Sequence, residues 1–296
     1  MNNPFTEKYV SDKTDETLIG AAVNGDRKAL EELVLRHQAY IYNVALRMVF
    51  YPDEAQDVTQ EILIKIITKL STFKGNSSFR TWAYRIVVNH VLNMKLSNGE
   101  KKHETTFSDY GRVIDNVPDH NLPDQSLYEV DMRMIVEEVK LSCLSGMLLC
   151  LDREQRLIFI LGAIFQVKDT IASEILEISR DAYRQKLSRA RRQLYNFMHN
   201  KCGLVNKENP CRCEKKTKVL LDVGYVNPKN LLFTVNYINS VQNIVGEKAE
   251  KLNSFVDNNC ENLFRDNPFQ NSPDFVSALR KTLDNPEFKD IFNFTN

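Results

Sequence analysis

Apolar residues at three- and four-residue spacing run through most of this 296-residue chain, and that rhythm permits little besides packed α-helices. Val58, Ile62, Ile66 and Leu70 fall at four-residue steps, and Leu30, Leu33, Val34, Tyr40, Ile41, Val44 and Met48 form a second face. No β-type alternation of convincing length interrupts them. The expected fold is all-α, and 43% apolar residues can fill more than one core. The opening "MNNPFTEKYVSDKTDE" lacks the apolar run of a signal peptide. "LIFILGAIF" (157–165) is about half the length that crosses a bilayer. No membrane partner and a cytoplasmic location are therefore expected.

Punctuation divides the chain. Residues 1–14 read as a disordered N-terminus. The "GD" at 25–26 separates two helices, and Pro52-Asp53 starts a third. A polar loop, "STFKGNSS" (71–78), precedes a helix over about 79–96, which closes a first domain at 15–97. Residues 98–126, with few large apolar side chains, read as a flexible linker. Helical periodicity returns over 127–198. A cysteine-bearing basic segment (199–218) and a helical C-terminal extension (219–296) follow. In the extension, Ser272-Pro273-Asp274 and Asn285-Pro286-Glu287 look like helix starts with Pro at the first helical position.

Zero net charge conceals an asymmetry. Residues 151–218 carry 15 basic and 8 acidic side chains, whereas 101–150 carry 5 and 9, and 219–296 carry 7 and 10. One basic block between acidic ones suggests a polyanionic partner. Its centre is "ISRDAYRQKLSRARRQL" (178–194), with six Arg or Lys and one acidic residue, Asp181. Tyr183, Leu187, Ala190 and Leu194 form one buried stripe there, and Ser179 is suited to cap the helix. Preceded by "EILEIS" and a turn, this is helix-turn-helix phrasing, in which the second helix enters the major groove. Arg180, Arg184, Gln185 and Ser188 then face outward, flanked by Lys186, Arg189, Arg191 and Arg192 for phosphates. A solvated basic face on an ordinary bundle helix is the alternative.

The N-terminal half discriminates. "DEAQDVTQEILIKI" (53–66) sets Asp57, Gln60 and Glu61 on a polar ridge opposite Val58, Ile62 and Ile66. "FKGNSSFRTWAYRIVVNHVLN" (73–93) then joins a polar loop to a helix rich in aromatic and basic residues, a mixture suited to unstacked bases. Phe79, Trp82 and Tyr84 equally suit a core, and for Trp82 we favour packing.

In these two blocks the chain resembles the extracytoplasmic-function (ECF) group of the sigma-70 family of bacterial sigma factors. "DEAQDVTQEILIKI" with "SSFRTWAYRIVVNHVLN" is similar to region 2, and "LDREQRLIFILGAIF" with "EILEISRDAYRQKLSRARRQL" to region 4. The resemblance implies a non-catalytic subunit that binds RNA polymerase core, directs it to promoters and helps open the −10 DNA. It places Asp57, Gln60 and Glu61 on the clamp of the largest polymerase subunit. Phe73, Lys74, Asn76, Ser77, Arg80, Arg85 and Asn89 fall to the −10 DNA. Arg180, Arg184, Gln185, Lys186, Ser188, Arg189 and Arg192 fall to the −35 element. An anti-sigma factor would be a further partner. Two departures stand out. Val88 and Asn93 replace a basic residue and an Asp, and Glu177 replaces the usual turn glycine, so another backbone route is expected there. A helix-turn-helix regulator acting on duplex DNA without polymerase is the rival function.

No phosphate-cradling glycine loop, metal-spaced His-Glu pair or nucleophile elbow occurs, so no catalytic residue and no obligatory cofactor are expected. "HNKCGLVNKENPCRC" (199–213) is the one candidate metal centre: His199, Cys202, Cys211 and Cys213 could hold zinc. A redox-responsive thiol set and a structural use are the alternatives. The 199–213 stretch and the tail resemble the C-terminal extension of a subgroup of such factors, and the acidic tail is expected to pack on the basic region.

Overall fold

The computed structural model describes residues 12–102, 105–234, 260–265 and 270–283. In chain order the helices are α1 (Asp12–Val23), α2 (Arg27–Val49), α3 (Pro52–Thr68), α4 (Phe79–Asn93), α5 (Asn98–Lys102), α6 (Phe107–Asn116) and α7 (Met132–Leu149). Then come α8 (Arg153–Phe159), α9 (Asp169–Leu176), α10 (Arg180–Lys201), α11 (Cys213–Asp222), α12 (Cys260–Arg265) and α13 (Phe275–Leu283). Among the described residues no β-strand forms, and Cys202 and Cys211 meet in an isolated bridge. These residues gather into two compact units, one drawn from 1–97, 167–183 and 271–296, the other from 98–166 and 184–270.

The first unit is built round α2. Gly25 turns with φ at 93°, and the Asp26 carboxylate accepts from the amides of Lys28 and Ala29, so the expected break becomes a capped helix start. Every residue from Tyr40 to Phe50 is buried. Helices α1, α3, α4 and α13 all pack on α2. Pro52 opens α3 and the Ser78 hydroxyl accepts from the Thr81 amide to open α4. Helix α4 ends at Asn93, short of the expected 96, and a 3-10 turn, Leu70–Thr72, begins the polar loop. Helix α13 adds Phe275 beside Tyr42 (ring centroids 6.2 Å apart) and a bidentate Arg280–Glu31 pair at 2.7 and 2.8 Å. Its cap is Asp274, which accepts from the Ser277 amide. Phe275 rather than Pro273 is therefore the first helical residue. The expected start at 285–287 lies outside the described residues, as do residues 1–11 of the expected disordered N-terminus.

The second unit centres on α7 and most of α10. The stretch expected to be a linker contains α5, α6 and a 3-10 turn at Gln125–Leu127. Phe107 and Tyr110 of α6 pack on Phe197, and Tyr110 lies so close to Gly146 that a Cβ there would fall 2.5 Å from its hydroxyl. Glu100 of α5 is buried between Arg153 (2.6 Å) and Arg156 (3.1 Å). The tail begins here too. Val226 and Leu231 pack with Met132, Ile135 and Val139. The buried Glu138 carboxylate accepts from the amides of Leu232, Phe233 and Thr234 and from the Thr234 hydroxyl, at 2.7–3.1 Å. Helix α8 runs into a π-helical turn, Ile160–Ile164, whose Ala163 carbonyl accepts from Arg265 of α12 at 2.6 Å.

Truncating Glu138 would strand three amides and a hydroxyl away from water. Glu138→Ala should lower stability by about 3 kcal/mol. Urea unfolding checks this, and an unshifted transition would show that the latch carries no energetic weight.

Candidate nucleic-acid interface

On α3 the buried face runs through Ala55, Thr59, Ile62, Leu63, Ile66 and Ile67. Val58, placed in the stripe from sequence, sits half-buried at its edge. Asp57, Gln60 and Glu61 are exposed, as the ridge requires. Asp57 and Glu61 share a groove of about 440 Å³ with Lys65 of α3 and with Asn89, His90 and Asn93 of α4. The groove thus joins two ridge residues to one assigned to −10 DNA.

His90 closes the floor of this groove. Lys65 Nζ lies 2.6 Å from its Nδ1 and Glu61 Oε2 lies 3.5 Å from its Nε2. An ammonium can only donate, so Nδ1 accepts and the ring proton sits on Nε2, facing the carboxylate. Burial, then the Lys65 charge, holds the His90 pKa below its ordinary 6.5, so the neutral ring is the resident form.

The 71–78 loop exposes Lys74 and Asn76, with Gly75 turning at φ 71°. Phe73 and Ser77 are half-buried. Phe73 packs on Phe79 (5.8 Å) and Trp82 (5.6 Å), so Trp82 belongs to a packed cluster while keeping one edge in solvent. Arg80 is half-buried at the start of α4, Asn89 is exposed, and Arg85 turns toward α9.

Helix α10 carries its expected stripe: Tyr183, Leu187, Ala190 and Leu194 are buried, and the Ser179 hydroxyl accepts from the Ala182 amide. Arg180, Arg184, Gln185, Ser188, Arg189 and Arg192 are exposed. Arg180 pairs with Asp169 at 3.3 Å and Lys186 with Glu154 at 2.6 Å. The turn before α10 corrects the sequence expectation. No alternative backbone route is taken, because Glu177 itself adopts the left-handed conformation (φ 54°, ψ 39°). The Ile178 amide reaches the Ser173 carbonyl and the Glu177 amide the Glu174 carbonyl, which is a Schellman ending with glutamate at the glycine position.

Comparison with known proteins bears on the front of the chain. The profile of Sigma-70 region 2 matches residues 33–100. The RNA polymerase sigma-H factor of Pseudomonas aeruginosa is 37% identical over 92 residues, which are 31% of this chain and 48% of that protein. The ECF RNA polymerase sigma-E factor of Escherichia coli K12 is 39% identical over 88 residues, 30% of this chain and 46% of that protein. Over residues 33–100 the chain is similar to region 2 of the sigma-70 family, ECF factors among them. The chain spans about half the length of the curated relatives it matches. A solved structure, CnrH in complex with the cytosolic domain of CnrY, aligns with 62% of this chain and 97% of that one, at TM-score 0.44 and 21% identity.

Region 2 therefore contains the ridge, the loop and α4. Sequence reasoning passed over Lys65 and His90, whose signal was a histidine one turn above an acidic residue's partner helix, legible only once α3 and α4 are paired. It also left Arg191 among generic phosphate contacts, whereas Arg191 pairs with Glu261 of α12 at 2.8 Å.

The cysteine segment does not assemble as a metal centre. Among the described residues no group of three His, Cys, Asp or Glu side chains is placed to hold an ion. His199 stacks on Tyr195 at 5.5 Å. Burial raises the thiol pKa of Cys202 and Cys211 and pushes Cys213 up to about 12.

His90 sets a pH dependence for region 2. The native state disfavours its protonated form, so this contribution to stability is complete above pH 6.5 and is lost as pH falls through the depressed folded value. Thermal unfolding at pH 7.5 and 5.5 should show a larger loss for the natural chain than for His90→Leu; equal losses would contradict the neutral ring.

Proposed function

We propose that the chain is a sigma factor: it binds RNA polymerase core, brings it to promoters and supports melting of the −10 DNA. The observation that carries this is a region 2 whose Asp57, Gln60 and Glu61 are exposed on α3 while the opposite face is locked into the core. An acidic ridge suits a basic docking partner and has no use in a regulator that meets only duplex DNA. In this proposal the ridge engages the clamp of the largest subunit. Phe73, Lys74, Asn76, Ser77, Arg80, Arg85 and Asn89 receive the −10 strand. Arg180, Arg184, Gln185, Lys186, Ser188, Arg189 and Arg192 serve the −35 duplex. Polymerase supplies the chemistry, and the chain contributes binding that offsets the cost of unstacking, a few kcal/mol per base. The setting is the cytoplasm, consistent with the absence, among the described residues, of any helix long and apolar enough to cross a membrane. An anti-sigma factor is a further partner within this proposal.

Reversing Asp57 and Glu61 to Lys should weaken association with core by more than about tenfold, since several desolvated charge contacts are inverted, while duplex DNA binding persists. Size-exclusion co-elution with core and start-site mapping on a promoter library measure both. Unchanged co-elution would reject the proposal.

The C-terminal extension is proposed to restrain the basic helix. Glu261 pairs with Arg191, Phe264 lies edge-on to Phe159 at 5.3 Å, and Arg265 holds the π-turn carbonyl. Glu261→Gln should tighten duplex DNA binding by about twofold, the scale of one weak, half-buried ion pair. Fluorescence anisotropy at fixed salt tests it, and identical affinities would discard the restraint.

A further inference from the structure

Arg85 is surrounded by negative features. Its Nε donates to the main-chain oxygen of Glu174 at 3.1 Å, and its guanidinium lies 3.6 Å from the Glu174 carboxylate and 3.7 Å from that of Glu177. Two carboxylates and the carbonyl end of α9 therefore converge on one cation, much as a strand phosphate would. Helix α9 and α4 pack within the same compact unit, so this is an internal contact of that unit.

Glu177 is an odd choice for its own turn. The left-handed conformation suits glycine, and a side chain there is strained by its Cβ. No amide is capped by the Glu177 carboxylate among the contacts of the turn; its ion-pair partner is Arg85. The identity of the residue thus opposes the turn and serves the guanidinium. The pair is also open to exchange, because the Glu177 side chain is 65% exposed and that of Arg85 32% exposed.

We propose that Glu177, supported by Glu174, is a positioning residue of the −10 surface that holds Arg85 against α9 and withholds it until a DNA phosphate takes its place. This rests on the assignment of Arg85 to the −10 strand, and the experiment separates the two. The full chain is titrated into a short fluorescent single-stranded DNA of mixed sequence, with thermal unfolding in parallel. Glu177→Gln removes the charge and keeps the strained side chain; Glu177→Gly removes both. Each should bind about two- to fourfold tighter, and only Glu177→Gly should unfold at a higher temperature. Arg85→Ala should bind more weakly, and adding Glu177→Gln to it should restore nothing. Tighter binding by Glu177→Gln on the Arg85→Ala background too would reveal a general charge effect and overturn the proposal. So would unchanged affinity of both Glu177 variants beside a weakened Arg85→Ala, which would leave the −10 assignment standing. An affinity untouched by Arg85→Ala would remove that assignment and the proposal with it.

Discussion

Helix α2 has no solvent face over its second half, and the first unit is arranged to satisfy that condition. A helix buried on all sides needs neighbours all round it, so the apolar faces of α1, α3, α4 and α13 are fixed by what α2 presents. Polar groups caught inside must find partners within the helix. Asn43 donates to the Ala39 carbonyl, and Arg47 donates to the Asn43 carbonyl and side-chain oxygen. Burial lowers the Arg47 pKa to about 10. Tyr40 meets Tyr84 of α4 edge-on at 5.3 Å, tying the two helices by shape. Once α3 and α4 are pinned on these sides, Asp57, Gln60, Glu61 and Asn89 have nowhere to point except outward. The candidate interface is the remainder of a packing problem.

That logic explains which parts of the protein were legible in the chain. Local rules travelled well: Ser179 caps the helix that follows, and the 183/187/190/194 stripe is buried as its spacing requires. Contacts that bridge distant positions did not. Nothing around Glu138 announces that its carboxylate will receive three amides from residues 232–234, about ninety positions on. The polar composition of 98–126 reads as solvated tether, yet Tyr110 finds the bare backbone of Gly146 and makes α6 part of a core. Glu177 misled for a different reason. The absence of glycine suggested another turn, but a left-handed residue needs only that its strain, about 1 kcal/mol, be offset elsewhere.

Acidic partners meet arginines in both units, and burial sorts them into two kinds. Glu100 is almost sealed beneath Arg153 and Arg156, with both oxygens occupied at short range. Removing Glu100 would strand two guanidiniums in a poor solvent, so that cluster can only be permanent. Arg85 with Glu174 and Glu177 lies where water competes for the contacts, while Arg191 with Glu261 is half-buried and falls between the two kinds. Exposed pairs hold weakly and release without leaving anything desolvated. A surface meant to trade a carboxylate for a phosphate must be of the second kind, because a stronger grip would compete with the DNA it is supposed to receive. The fold supplies the first kind beneath α8 and the second on the face of α4, so rigidity and exchange are assigned to different places by nothing more than depth from the solvent.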